Sequence, residues 1–180
     1  MKASILIILS LSLNLSIAQE FNQEIKIEQR SQFLVGPITL EGLQNEPYKS
    51  WFDSSYNAYT VDKSLAQMLK KQLKGYELKL FLGTWCGDSK REMPRIIKIL
   101  KEAKFPMENL EIIALDRRKG FYKKSPGGEE KGLNISKVPT LVFFKNGKEV
   151  NRIVESPIAS LEEDILSILN GASYIPNYSK

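Results

Sequence analysis

Apolar positions along the chain mark a run of regular elements from residue 62 onward. Leu65, Met68, Leu69 and Leu73 recur at helical spacing; Asp62 can cap the start of that helix and Gly75 can end it. Tyr76 to Gly83, YELKLFLG, is a compact apolar run of strand length. From Ser89 the period returns to helical, with Met93, Ile96, Ile97 and Leu100 on one face, and Pro94 is expected to kink that helix because it lacks an amide donor. LEIIAL, Leu110 to Leu115, is a second buried strand. Thr140 to Lys145 and Lys148 to Val154 are joined by Asn146-Gly147, a hairpin signal. Ser160 and Glu163 have capping-box spacing ahead of Leu161, Ile165, Leu166 and Leu169, and Gly171 stops that helix. The order of strands and helices predicts an α/β sandwich with a mixed parallel and antiparallel sheet.

The pattern is weaker elsewhere. Residues 20–59 mix polar and apolar positions; Glu24 to Glu28 alternates like a strand, and Gly36-Pro37 and Glu46-Pro47 read as turns. Tyr48, Trp51, Phe52, Tyr56 and Tyr59 either line a groove or, as buried aromatics more often do, pack this extension onto a core. Residues 117–134, RRKGFYKKSPGGEEKGLN, are charged and Gly-rich and read as a solvated loop, although Arg117, Arg118, Lys119, Lys123 and Lys124 can attract an acidic partner. The first residues, MKASILIILSLSLNLSIAQ, combine Lys2, an apolar run and small residues at Ser16 and Ala18. They predict a secretory signal peptide over residues 1–18, an extension over 19–61, a domain over 62–171 and a frayed tail over 172–180. The apolar run is shorter than the ~20 residues a membrane-spanning helix needs, so export to a periplasm or the cell exterior is expected, without stable membrane insertion.

Composition narrows the chemistry. Among 180 residues, 26 Lys and Arg face 21 Asp and Glu, a net charge of +5 that is too small to point to nucleic acid. With no histidine, Ser-His and Cys-His catalytic pairs and histidine-ligated zinc are excluded. A single cysteine, Cys86, rules out an internal disulfide and a cysteine-rich metal site. No metal and no cofactor is therefore expected.

Cys86 follows a buried strand and opens a helix, in the stretch Thr84-Trp85-Cys86-Gly87-Asp88-Ser89-Lys90. Free amides and partial positive charge at a helix start favour thiolate over thiol. Lys90 and Arg91 add to that field and Asp88 opposes it, while Ser89, one turn on, is expected to offer its hydroxyl to the sulfur.

These residues resemble the thioredoxin superfamily from about Glu77 to Asn170. Trp85-Cys86-Gly87-Asp88-Ser89-Lys90 is similar to the family's Trp-Cys-Gly-Pro-Cys-Lys except at Asp88 and Ser89. Pro94 stands where thioredoxins carry a helix proline, and Val138-Pro139-Thr140 with LVFFKNGKEV looks like the cis-proline segment and its hairpin. The resemblance implies a thioredoxin-like fold, a central mixed β-sheet flanked by helices, here with an N-terminal extension. It implies Cys86 as nucleophile with Ser89 beside it, and a substrate groove of Trp85, Gly87, Asp88, Val138, Pro139 and Thr140. Val138 is then the backbone that pairs with an extended client.

The departures bear on function. Ser89 replaces the resolving cysteine, so no internal thiol can expel a product. Leu80 stands where many thioredoxins keep a buried aspartate, and Ala114 near its lysine partner. The expected activity is monothiol exchange with cysteine-containing proteins or low-molecular-weight thiols. The alternatives are a module that binds clients without turnover, or a purely structural one.

Overall fold

The computed structural model describes residues 20–179, so the expected signal peptide and its cleavage after Ala18 lie outside the described residues. Six strands form one sheet: β1 (Gln23–Ile27), β2 (Arg30–Ile38), β3 (Tyr76–Leu82), β4 (Leu110–Ala114), β5 (Thr140–Lys145) and β6 (Lys148–Val154). Their order across the sheet is β1-β2-β4-β3-β5-β6, with β3 and β4 parallel and every other neighbour antiparallel. Four helices accompany them: α1 (Tyr48–Ala58), α2 (Lys63–Gln72), α3 (Gly87–Glu102) and α4 (Leu161–Leu169). The expected mixed sheet flanked by helices is the observed architecture.

Alternation along the strands divides the interior. Leu78, Leu80 and Leu82 of β3 face a large apolar cluster to which all four helices contribute, through Phe52, Leu69, Ile97 and Ile165 among others. Phe81, Ile113 and Val142 face the opposite side, where a smaller cluster is completed by Val138, Leu115, Leu133 and Ile135 and contains no residue of these helices. The cover there is the irregular segment between β4 and β5, in agreement with the loop expected over residues 117–134.

The residues before Asp62 are built into the sheet. β2 pairs with β4 through Gly36↔Ala114, Pro37↔Ile113 and Ile38↔Ile112, so Gly36-Pro37 is part of a strand and not the expected turn. Proline is tolerated there because β1 pairs with β2 only as far as Val35, and beyond it Pro37 is used only through its carbonyl, which accepts from Asn22 N at 3.0 Å. Tyr48, Phe52 and Tyr56 stand at helical spacing in α1, with Tyr48 and Phe52 buried and Trp51, Tyr56 and Tyr59 packed against the large cluster. The aromatics thus pack the extension onto the core.

Helix ends follow local chemistry. The Asp62 carboxylate accepts from the Ser64 and Leu65 amides, and the Ser160 hydroxyl accepts from Glu163 N. Met68, expected on the apolar face of α2, is 49% exposed, and Ala66 occupies the buried position instead. α3 begins at Gly87, two residues earlier than its apolar period suggests, and runs through Pro94. The tail expected to fray is tied back: Tyr174 donates to Asp164 at 2.8 Å and Asn177 to the Ser156 carbonyl at 2.9 Å.

Candidate active site

β3 delivers the chain to a tight turn in which Cys86 N donates to Gly83 O at 2.8 Å, and Cys86 is the N-cap of α3. β2 braces this turn, since Leu34 N donates to the buried Thr84 hydroxyl at 3.0 Å. Trp85 folds back over Gly83 and donates its indole N–H to Leu115 O at 2.8 Å. A Cβ at position 83 would stand 2.7 Å from the indole, so only glycine permits this approach. The Cys86 side chain is half-buried, and its thiol donates to the carbonyl of Val138 at 3.4 Å. That carbonyl belongs to the Val138-Pro139 peptide, which is cis. The expected meeting of cysteine and cis-proline is therefore present in the fold.

The remaining expected residues divide. Gly87 and Asp88 form the exposed and half-exposed first turn of α3, with Asp88 paired to Arg91 at 2.8 Å. Pro139 O accepts from Glu155 N at 2.7 Å, while the Val138 N–H makes no hydrogen bond to another described residue. Thr140, expected in the groove, is buried, and its hydroxyl donates to Lys137 O at 2.8 Å, which braces the segment from behind. Ser89 does not offer its hydroxyl to the sulfur, contrary to the expectation from its spacing. It is fully buried, its hydroxyl accepts from Gly83 N at 3.1 Å, and it makes no hydrogen bond to Cys86. One turn into α3 its side chain points beneath the end of β3, where it satisfies an otherwise unpaired amide.

Leu80, expected where many thioredoxins keep an aspartate, and Ala114, expected near its lysine partner, are fully buried in the large cluster. A buried carboxylate does exist elsewhere. Glu92 is 3% exposed, accepts from Arg91 Nε at 2.6 Å, and lines a small cleft with Pro139, Glu155 and Leu161. Its signal was available: residue 92 is four before Ile96, so an acid falls on the apolar stripe of α3.

Two further residues close to the site come from the irregular segment. The rings of Tyr122 and Trp85 lie 5.7 Å apart, and Lys123 donates to Ser136 O just ahead of the cis-proline. Burial and the like charge of Lys137 lower the pKa of Lys123, opposed by attraction to Glu155 and Cys86. No helical or strand period marks these residues, so spacing alone could not place them.

The thioredoxin family model matches residues 58–167. This chain belongs to the thioredoxin family. Thioredoxin-1 of Saccharomyces cerevisiae is 31% identical over 85 residues, which cover 47% of this chain and 73% of the relative. Thioredoxin-2 of the same yeast is 30% identical over 87 residues, covering 48% and 74%. Among solved structures, oxidised thioredoxin O2 of Arabidopsis thaliana is 25% identical, covers 60% of this chain and 88% of its own, and superposes with a TM-score of 0.36. The matched family region contains both Cys86 and Pro139, and it starts near the end of α1.

Proposed function

We propose that this thioredoxin-family chain carries out monothiol thiol–disulfide exchange through Cys86, on cysteine-containing proteins or small thiols. The observation that supports the reading most is the half-buried sulfur at the start of α3, 3.4 Å from the carbonyl of the cis Val138-Pro139 bond. A client strand laid along Val138 can pair with its free N–H and bring a disulfide to the sulfur.

The Cys86 thiolate attacks one client sulfur, a new S–S bond forms, and the displaced client sulfur leaves with the electron pair and takes a proton from water. Residue 89 is serine and no other cysteine exists, so the mixed disulfide persists until an external thiolate attacks it. That thiol supplies the electron pair which releases Cys86. The leader-like first 18 residues support an exported protein, and an oxidising compartment would supply disulfides to attack. Among the described residues no helix is long and apolar enough to cross a membrane.

Substitution of Ser89 by cysteine tests the reading, because a thiol at this buried position under the first turn would act as the missing resolver. Ser89→Cys should gain catalytic reduction of insulin disulfides that the parent lacks. A folded Ser89→Cys protein with no such activity, checked by circular dichroism, would show that the groove is not arranged for exchange.

A further inference from the structure

We propose that the loop from Arg117 to Lys123 is a specificity ledge that selects cysteine peptides with carboxylates flanking the reactive sulfur. The inference rests on the exchange reading and names its client class.

The loop is closed like a short hairpin: Lys123 N donates to Asp116 O at 2.8 Å, and Asp116 N to Lys124 O at 2.9 Å. The buried Asp116 carboxylate holds it from inside, accepting from Arg118 N at 2.7 Å and from Arg118 Nη2 at 2.7 Å. The tip of this braced loop carries Phe121 and Tyr122, 56% and 54% exposed. Neighbouring exposed rings on a soluble protein mark an interaction surface more often than scattered single ones do. Tyr122 lies beside the ring of Trp85, the residue before Cys86, so the ledge adjoins the turn that carries the thiol.

The charge balance identifies the occupant. Three carboxylates near the site already have cations: Asp116 has Arg118, Asp88 has Arg91, and Glu155 has Lys137 at 3.6 Å, while Glu129 and Glu130 turn to Ser125. Lys119 and Lys123 form no ion pair among the described residues, so positive charge is left over. Lys123 lies 5.1 Å from the Tyr122 ring and within Coulombic reach of Cys86. An extended peptide held along Val138 would run its flanking residues past this ammonium. Glutamate or aspartate there gains attraction, and lysine is repelled.

The test uses two short cysteine peptides, identical except for glutamate or lysine on both sides, each activated as a 2-thiopyridyl disulfide. Cys86 attacks the peptide sulfur, the bond to the pyridyl sulfur breaks, and 2-thiopyridone departs and is read by absorbance. The glutamate peptide should react roughly tenfold faster at low salt, and the ratio should collapse at high salt. Lys123→Gln should bring the ratio close to one, and Lys123→Arg should restore it. Tyr122→Ser should slow both peptides more than it slows the small neutral disulfide 2,2′-dithiodipyridine. Equal rates for the two peptides, or a preference unchanged in Lys123→Gln, would overturn the ledge. If the native protein reacts with the neutral disulfide but does not discriminate between peptides, only this inference falls. If the neutral disulfide also fails to react, the exchange reading falls and takes the ledge with it.

Discussion

The two faces of the sheet are covered in different ways. On one, Leu78, Leu80 and Leu82 meet four helices; on the other, Phe81, Ile113 and Val142 meet an irregular segment that reaches from β4 to the cis-proline. The helical face also holds polar side chains in fixed pairs. Tyr59 donates to Glu162 at 2.6 Å, Tyr174 to Asp164 at 2.8 Å, and Lys98 to the Tyr56 and Tyr59 carbonyls. Trp85 and Cys86, half-buried, and Tyr122, exposed, stand on the loop-covered face. Helices bury area and anchor the fold, whereas a braced loop can present rings and cations beside a thiol without opening the core. The asymmetry separates stability from chemistry.

The largest effect that can break this comparison is a matched pair of truncations. Leu80 and Leu115 are both fully buried, one against helices and one under the loop. Leu80→Ala should cost towards the upper end of about 2–5 kcal/mol, and Leu115→Ala towards the lower end, because the loop can collapse onto the gap. Urea unfolding measures both, and equal losses would mean that the two faces are equally rigid.

Next in size are the tyrosines bonded to carboxylates on the helical face. Burial, and then the bond to Glu162, holds the Tyr59 hydroxyl well above its usual value of 10.0, and Tyr48 with Glu24 and Tyr174 with Asp164 behave alike. The folded state therefore keeps these protons when the unfolded chain has lost them. The stability they confer is complete below about pH 10 and is lost as pH rises past it. Alkaline denaturation should be steep in that range. Tyr59→Phe, which leaves Glu162 short of a donor, should lose about 1–3 kcal/mol at neutral pH and show a flatter alkaline limb. An unchanged limb would mean that these pairs do not hold the helical face.

Phe121→Ser should change stability by less than about 0.5 kcal/mol in the same urea assay, since the ring is 56% exposed. A larger loss would show that the loop tip supports the fold and is not free for partners.

Much of the helical face was legible because periodicity reports burial. Leu65, Leu69 and Leu73 announced α2, and the Asn146-Gly147 turn announced the β5–β6 hairpin. Cys86 and Pro139 were legible through their neighbours, and the fold brings them together. β2 was missed because Phe33 to Ile38 is buried without alternation and contains Gly36-Pro37, so pairing with β4 overrode local turn chemistry. The place of Ser89 was misread because helical spacing says that a side chain is near the sulfur but not that a strand-end amide claims it first. Tyr122 and Lys123 approach the site only through loop closure on Asp116, which carries no periodic mark.

The central claim is that one sulfur forms a mixed disulfide which only an outside thiol can resolve. Native protein incubated with hydroxyethyl disulfide, then read by intact mass, tests it most directly. A single adduct should form, remain after the reagent is removed, disappear on addition of free thiol, and never form on Cys86→Ser. An adduct that forms only after denaturation, or one that native protein sheds unaided, would contradict the account.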